Sequence, residues 1–172
     1  MTIRVLVADD QAMIRGALAG LLDLERDIKV VAQAADGAQA LEELARVASA
    51  DDPARRGTPV DVAIIDIEMP RMDGITATQA IRSRFPGVRV LIVTTFGRPG
   101  YLQRALDAGA TGFMVKDAPV EALADGVRTV AAGGRAIDQS LALEALSTGA
   151  SPLTDREADV LREVEGGGTI AD

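Results

Sequence analysis

Three aspartates follow apolar segments of the kind that form buried strands. Asp9 and Asp10 come directly after IRVLVA, and Asp66 ends VAIID. If these carboxylates lie together, their like charges must raise one another's pKa or be balanced by a cation. The chain has no histidine and no cysteine, which leaves an oxygen-only site, typical of Mg²⁺ with phosphate co-ligands. The three aspartates therefore predict a magnesium site.

Two further polar residues, Thr94 and Lys116, also end apolar segments. A hydroxyl and an ammonium at one site supply a hydrogen-bond donor and a counter-charge for the oxygens of a phosphoryl group. A carboxylate can be the nucleophile that accepts this group, because positioning and magnesium supply most of the catalysis. Taken singly, each residue is an ordinary strand-end residue. Their combination with Asp66 predicts phosphoryl transfer to that carboxylate.

Five strands and five helices, in alternation, must position these residues. Short β-branched runs predict strands over 3–8, 29–34, 60–65, 89–93 and 112–115. Apolar residues at helical spacing predict helices over 12–24, 38–48, 75–84, 101–108 and 120–132. Repeated β and α units indicate an α/β fold with a doubly wound, five-stranded parallel sheet. We expect the flavodoxin-like order 2-1-3-4-5, in which the carboxyl ends of strands 1, 3, 4 and 5 border one crevice.

Composition shifts divide the chain into segments. The stretch 49–59 (SADDPARRGTP) is polar and contains two prolines, which predicts a solvated loop. Residues 134–152 are predicted to form a linker with a short helix over 141–146. Thr154 and Glu157 have the spacing of a capping box that opens an amphipathic helix. We therefore expect one full domain over 1–133 and the start of a second over 153–172.

The charge of the chain argues against nucleic acid as a partner of this stretch alone. The formal net charge is −8, and residues 118–172 hold 10 acidic and only 4 basic side chains. Such a tail repels phosphate backbones. No apolar run reaches the roughly 20 residues that span a bilayer, and the lack of cysteine excludes disulfides. These features predict a cytoplasmic protein without a membrane partner.

Four separated segments carry a resemblance to a known family. They are VLVADDQAMIRGAL, VAIIDIEMPRMDG, VLIVTTF and AGATGFMVKDA. In order and spacing they resemble the receiver domains of two-component response regulators, particularly the NarL/FixJ (LuxR-type) group, over about residues 2–133. The later segment SPLTDREADVLREV is similar to the opening of a LuxR-type helix-turn-helix domain. The resemblance implies a CheY-like receiver followed by a DNA-binding domain that is truncated before its recognition helix.

The resemblance also implies the ligands of the metal. Asp10 would bind Mg²⁺ directly and Asp9 through water, while Asp66 would be both a ligand and the phosphoacceptor. Glu68 would contribute its backbone carbonyl as a further ligand. The predicted magnesium site is thereby extended to four residues.

For the response to phosphorylation, the resemblance implies a switch. Thr94 and Lys116 would contact the phosphoryl oxygens, and Thr94 would act together with Phe113. Movement of the Thr94 hydroxyl toward the phosphoryl group would vacate space for the Phe113 ring. The implied partners are a sensor histidine kinase, a second copy of the chain, and DNA for the full-length protein but not for this fragment.

The dimer is expected to form on phosphorylation through helices 1 and 5 of the predicted fold. Its candidate residues are apolar and recur at helical spacing: Ile14, Leu18 and Leu21 on the first helix, and Leu123, Val127 and Val130 on the fifth. Because some of these must face the sheet, only part of each set can be interfacial. A two-fold contact of this kind would bring two effector domains onto paired half-sites of DNA.

Two other functions fit parts of the same pattern. A small Mg²⁺-dependent phosphatase or phosphotransferase also uses an aspartyl nucleophile, and Glu68, two residues beyond Asp66, could be its second acid. A pseudo-receiver would signal without phosphorylation, although the complete set of site residues argues against it. The long insertion at 49–59 and the loop at 96–103 depart from the family pattern, and the sequence assigns no role to either.

Overall fold

The computed structural model describes residues 1–49, 60–95, 98 and 100–147. Its strands are β1 (Ile3–Ala8), β2 (Ile28–Ala34), β3 (Val62–Asp66), β4 (Arg89–Thr94), β5 (Gly112–Val115) and β6 (Ala136–Ile137). Its helices are α1 (Ala12–Asp23), α2 (Gly37–Ser49), α3 (Gly74–Arg84), α4 (Tyr101–Asp107), α5 (Val120–Ala131) and α6 (Gln139–Ser147). The five strands and five helices predicted from periodicity are all present, with bounds that differ by at most two residues.

The strands form one parallel sheet in the order β2-β1-β3-β4-β5-β6. The predicted order of the first five strands is confirmed, whereas the predicted total of five is wrong. The sixth strand pairs with β5, with Gly112 opposite Ala136 and Phe113 opposite Ile137. Two residues are too few to show the periodicity of a strand, which is why the sequence does not reveal β6.

Helices cover both faces of the sheet, and each face has its own apolar cluster. One cluster packs α2, α3 and α4 against strand residues such as Leu6 and Ile65. The other packs α1 and α5 against strand residues of the opposite face, such as Val5 and Ile64. Successive strand residues point to opposite faces, so a strand that is covered on both sides is buried along its whole length and is mostly apolar. In β3 every residue is buried, and the one polar residue, Asp66, is at its end.

The register of the sheet brings the polar strand ends to one edge. Ala8, at the end of β1, pairs with Ile65, one residue before the end of β3. Thr94, at the end of β4, pairs with Val115, at the end of β5. The residues at and just beyond these strand ends therefore lie side by side, as expected for the ligand-binding edge of a doubly wound sheet.

The residues from Ala136 to Leu141, within the stretch expected to be a linker, are attached to the sheet and its core. The backbone N–H of Asp138 donates to the carbonyl of Phe113 at 3.0 Å, and the Asp138 carboxylate accepts from the N–H of Ser140 at 2.9 Å at the start of α6. Leu141 is only 6% exposed and belongs to the same apolar cluster as Phe113. This part of the chain is therefore packed on the domain.

Several predicted features lie outside the described residues. They are the polar loop beyond Ser49, positions 96, 97 and 99 of the 96–103 loop, the end of the linker, and the helix-turn-helix start over 153–172. In the described part of the chain, no helix is both long enough and apolar enough to cross a bilayer.

Candidate functional site

The carboxylates of Asp9, Asp10 and Asp66 form one cluster at the carboxyl edge of the sheet. One oxygen from each lies within 4.8 Å of the others. Asp9 and Asp66 are buried, while Asp10 is exposed. The grouping anticipated from the sequence is therefore present, and it consists of oxygen donors that Mg²⁺ prefers.

Asp9 is held by contacts along the chain around it. Its Oδ1 accepts from the backbone N–H of Gln11 at 2.9 Å, and its backbone carbonyl accepts from the Arg15 guanidinium at 2.7 Å. Its own N–H donates to the carbonyl of Ala34 at 3.0 Å, which continues the pairing of β1 with β2. The backbone bonds hold Asp9 at the end of β1, and the bond from Gln11 holds Oδ1, while Oδ2 lies against Lys116.

The ammonium of Lys116 lies between two of the carboxylates. Its Nζ is 2.6 Å from Oδ2 of Asp9 and 3.2 Å from Oδ2 of Asp66. Among the residues that the structure describes, the buried Oδ2 of Asp9 has no donor besides this ammonium. Burial lowers the pKa of Lys116, but the hydrogen bond to Asp9 and the charge of Asp66 outweigh burial and raise it. Lys116 is therefore a fixed positive charge.

Asp66 combines burial with like-charged neighbours. Burial is the largest influence and raises the pKa of Asp66 from 3.8 to about 6, with the charges of Asp9 and Asp10 adding to the rise and Lys116 opposing it. A carboxyl with this pKa is largely ionised at neutral pH and largely protonated at pH 5. A cation at the cluster would favour the ionised form.

The cluster opens into a cleft of about 180 Å³. Five of the predicted site residues line this cleft: Asp10, Asp66, Glu68, Thr94 and Lys116. Two further residues that were not predicted, Gln11 and Thr95, line it as well. Gln11 and Thr95 were missed, although each directly follows a residue that was singled out. Thr94 is 4% exposed, and its carbonyl accepts from the N–H of Lys116 at 2.8 Å, which ties the ends of β4 and β5 together.

The two remaining predicted residues, Phe113 and Glu68, lie outside the cluster of carboxylates. Phe113 is fully buried in the apolar cluster beneath α3 and α4, together with Ile92, and does not line the cleft. The side chain of Glu68 is exposed, and its carboxylate lies 3.4 Å from the guanidinium of Arg98. Glu68 thus borders the cleft while its acid group is paired with an arginine.

The loop after Asp66 is closed at its base by Gly74. The N–H of Gly74 donates to the carbonyl of Ile67 at 2.8 Å. A Cβ at this glycine would collide with the carbonyl oxygen of Asp66, so no other residue fits without moving the site. Asp73 then starts α3 by accepting from the N–H of Thr76 at 2.8 Å.

The predicted dimer surface on α1 and α5 needs correction. Val127 and Val130 are fully buried against the sheet, so their assignment to an interface is wrong. The apolar stripe of α5 is the face that covers β3, β4 and β5, which is what an amphipathic helix on a sheet must bury. Leu123, though 5% exposed, still borders an apolar groove together with Ile14, Leu18 and Leu21 of α1.

The chain is similar in sequence to a known domain family and to known proteins. Residues 5–128 match the response regulator receiver domain family. The chain is 41% identical over 165 residues to the transcriptional regulatory protein DesR of Bacillus subtilis, a match that covers 96% of this chain and 76% of DesR.

Two solved structures are also similar to the chain. A LuxR-family two-component response regulator from Aurantimonas sp. SI85-9A1 has a TM-score of 0.75 and 27% identity, covering 86% of this chain and 98% of that one. The signal receiver domain of NarL from Mycobacterium tuberculosis has a TM-score of 0.67 and 34% identity, covering 77% of this chain and 98% of that domain.

Proposed function

The chain belongs to the response regulators, as a receiver domain of the NarL/LuxR-type transcriptional regulators, and we propose that it accepts a phosphoryl group on Asp66 in a Mg²⁺-dependent reaction. The observation that carries this proposal is the cluster of the Asp9, Asp10 and Asp66 carboxylates with Lys116, which opens into the cleft. The phosphoryl donor in this proposal is a sensor histidine kinase.

The residues around the cluster fit a magnesium ion. Three carboxylates and one ammonium leave an excess of two negative charges, which a divalent cation balances. Asp9, Asp10 and Asp66 would hold the ion, and the backbone carbonyl of Glu68 would be a further ligand. Bound Mg²⁺ supplies charge compensation and a contact to the phosphoryl oxygens.

The chain's own residues account for the rest of the transfer. An oxygen of the ionised Asp66 attacks the phosphorus, the P–O bond to Asp66 forms, and the bond from phosphorus to the donor breaks. Lys116, already 3.2 Å from Asp66, provides a cation for the oxygens of the transferred group. The hydroxyl of Thr94 provides a hydrogen-bond donor at the same cleft.

The proposed output is dimerisation that controls transcription. The apolar groove between α1 and α5, bordered by Ile14, Leu18, Leu21 and Leu123, supports a contact between two copies. Thr94 and Phe113 would carry the change from the phosphorylated cleft to the rest of the domain. The net negative charge of residues 118–172 argues against DNA binding by these residues.

The rival functions have less support. A phosphatase of small substrates would use Glu68 as a second acid, but the Glu68 carboxylate is paired with Arg98. The similar protein DesR is named as a transcriptional regulatory protein and not as an enzyme of small substrates. We therefore propose that the chain catalyses only its own phosphorylation and dephosphorylation. A pseudo-receiver would not need the full set of carboxylates with Lys116.

Intact-mass analysis after incubation with acetyl phosphate and Mg²⁺ tests the proposal. We expect an acid-labile phosphoryl increment on the unmodified chain, and none on Asp66→Asn or when Mg²⁺ is chelated. Asp107→Asn, on the exposed side of α4 where it binds Gln103, is the matched control and should be phosphorylated normally. The same increment on D66N would show that Asp66 is not the acceptor.

A further inference from the structure

Arg71 has a backbone conformation that is unusual for its residue type. Its φ is 64°, and of all described residues other than glycine it alone has a positive φ. The N–H of Met72 donates to the carbonyl of Pro70 at 2.7 Å across it, which makes a γ-turn of the rare, strained hand. Glycine or asparagine would adopt this φ at lower cost. The presence of an arginine therefore points to a use for its side chain.

The Arg71 guanidinium is the ion-pair partner of a buried carboxylate. Asp36, between β2 and α2, is wholly buried. Its Oδ1 accepts from the N–H of Gln39 at 2.8 Å and so caps α2, while its Oδ2 forms an ion pair with Nη2 of Arg71. The hydrogen bond from Gln39 and then the Arg71 guanidinium keep the pKa of Asp36 below its ordinary value despite burial. An ionised, buried carboxylate thus has a cationic partner on the loop after Asp66.

A second contact joins the same two segments. The N–H of Gly37 donates to the carbonyl of Met72 at 3.1 Å. A Cβ on Gly37 would lie 2.7 Å from that oxygen, so glycine is required for this close approach. The tip of the loop, at Arg71 and Met72, is therefore attached to the start of α2 at two points.

The base of this loop carries the proposed site. The loop runs from Ile67 to Asp73 and is closed by the hydrogen bond from Gly74 to Ile67, directly against the carbonyl of Asp66. Asp66 and Glu68 both line the cleft. Since the loop is closed at its base and attached at its tip, a change at the tip alters the loop that contains Glu68.

We propose that the Asp36–Arg71 pair is a positioning device for phosphorylation, in which the start of α2 holds the loop after Asp66 in the shape that binds Mg²⁺ and accepts the phosphoryl group. This inference rests on the function proposed above. Neither residue touches the cleft, so both act through Glu68 and Asp66. A contact that only stabilised the fold would contribute to the free energy of unfolding alone. Loss of this pair should instead lower the Mg²⁺ affinity and the rate of phosphorylation more than it lowers the free energy of unfolding.

Four variants separate positioning from stability. Arg71→Gly removes the guanidinium and relieves the strained φ, Arg71→Lys retains the charge, and Asp36→Asn retains the cap on α2 but removes the negative charge. The double variant D36N/R71G completes a thermodynamic cycle. The matched control is Arg46→Ala, which removes an exposed arginine paired with Glu43 on α2, away from the cleft.

The measurements are the Mg²⁺ dissociation constant by calorimetric titration, the rate of phosphorylation by acetyl phosphate, and the urea midpoint of unfolding. We expect the Mg²⁺ affinity and the rate to fall about three- to tenfold in R71G and in D36N. The loss in R71K should be smaller, and the double variant should lose no more than either single variant. R46A should match the unmodified chain. R71G leaves the buried Asp36 carboxylate without its ion-pair partner and should lower the urea midpoint, whereas D36N/R71G removes both charges and should keep its urea midpoint within the range of R46A.

The outcomes distinguish the two proposals. If the unmodified chain binds Mg²⁺ and is phosphorylated, but R71G equals it in affinity and rate, the positioning role is wrong and the proposed function stands. If D36N/R71G loses Mg²⁺ affinity only together with its urea midpoint, the pair is merely stabilising and the positioning role is again wrong. Should D36N fail to fold, the comparison of R71G with R71K decides alone. If the unmodified chain neither binds Mg²⁺ nor is phosphorylated, the proposed function fails and this inference fails with it.

Discussion

At the scale of single residues, the pKa of Asp66 is set by its burial and by the charges of the residues around it. Its pKa of about 6 lies above the ordinary 3.8 because burial disfavours the ionised form. The folded chain thus binds this proton more tightly than the unfolded chain does. The resulting stabilisation is complete below pH 3.8 and is lost as the pH rises through about 6. At neutral pH the ionised Asp66 therefore opposes folding until a cation balances it.

Substitution of Asp66 by asparagine should consequently stabilise the metal-free chain at pH 7.5. After allowance for solvent screening, we expect a gain of about 1 to 2 kcal/mol in the free energy of unfolding at pH 7.5, and a smaller gain at pH 5. Mg²⁺ should stabilise the unmodified chain at pH 7.5 much more than D66N. Urea unfolding at both pH values, with and without Mg²⁺, measures these differences. A D66N chain that is less stable than the unmodified chain at pH 7.5 without metal would contradict the pKa assignment.

The sequence predicted the central residues of the site but not the contacts that surround them. Asp9, Asp10, Asp66, Thr94 and Lys116 could be found because each ends an apolar run, and parallel strand ends meet at one edge. The pair of Asp36 with Arg71 could not be found in this way. The two residues are far apart in the chain, and an arginine gives no local signal for a positive φ.

At the scale of elements, the apolar stripe of a helix indicates that one face is buried but not what buries it. The stripe of α5 contains Leu123, Val127 and Val130, and the sequence did not separate core residues from interface residues. In the structure Val127 and Val130 lie in the core, and Leu123 borders the groove with α1. Strand β6 escaped prediction for a different reason, because two residues carry no periodicity.

A charge placed on α1 should therefore test the dimer, whereas a charge on the inner face of α5 should test the core. Leu21, 40% exposed at the groove, can be changed to Glu without loss of the fold. We expect L21E to weaken self-association of the phosphorylated chain about fivefold or more. V127E should instead lose several kcal/mol of stability, because it buries an unpaired carboxylate.

Sedimentation over a range of concentrations, with and without a phosphodonor, measures the association in this test. Leu24→Glu is the matched control, since Leu24 is 78% exposed and does not border the groove. Equal association constants for L21E and the unmodified phosphorylated chain would remove the α1 groove from the interface. A folded V127E chain would contradict the assignment of α5 to the core.

At the scale of the whole molecule, the described residues that follow α5 pack on the domain as far as Leu141. Leu141 of α6 is 6% exposed in the cluster with Phe113, while Leu143 on the same helix is 66% exposed. We expect Leu141→Ala to lower the free energy of unfolding by about 2 kcal/mol or more. Leu143→Ala, the matched control, should change it by no more than about 0.5 kcal/mol. Equal urea midpoints for L141A and L143A would show that α6 does not pack on the domain.

The short strand β6 also has a consequence for how copies of the molecule meet one another. The open edge of a sheet carries unpaired N–H and C=O groups, which can recruit a strand from another molecule. In this chain β6 covers the edge of β5 at Gly112 and Phe113, and it is itself only two residues long. A chain that ended at Gly133 would uncover the β5 edge together with the apolar surface beneath Leu141. The segment that leads out of the domain thus also protects the sheet from edge-to-edge aggregation.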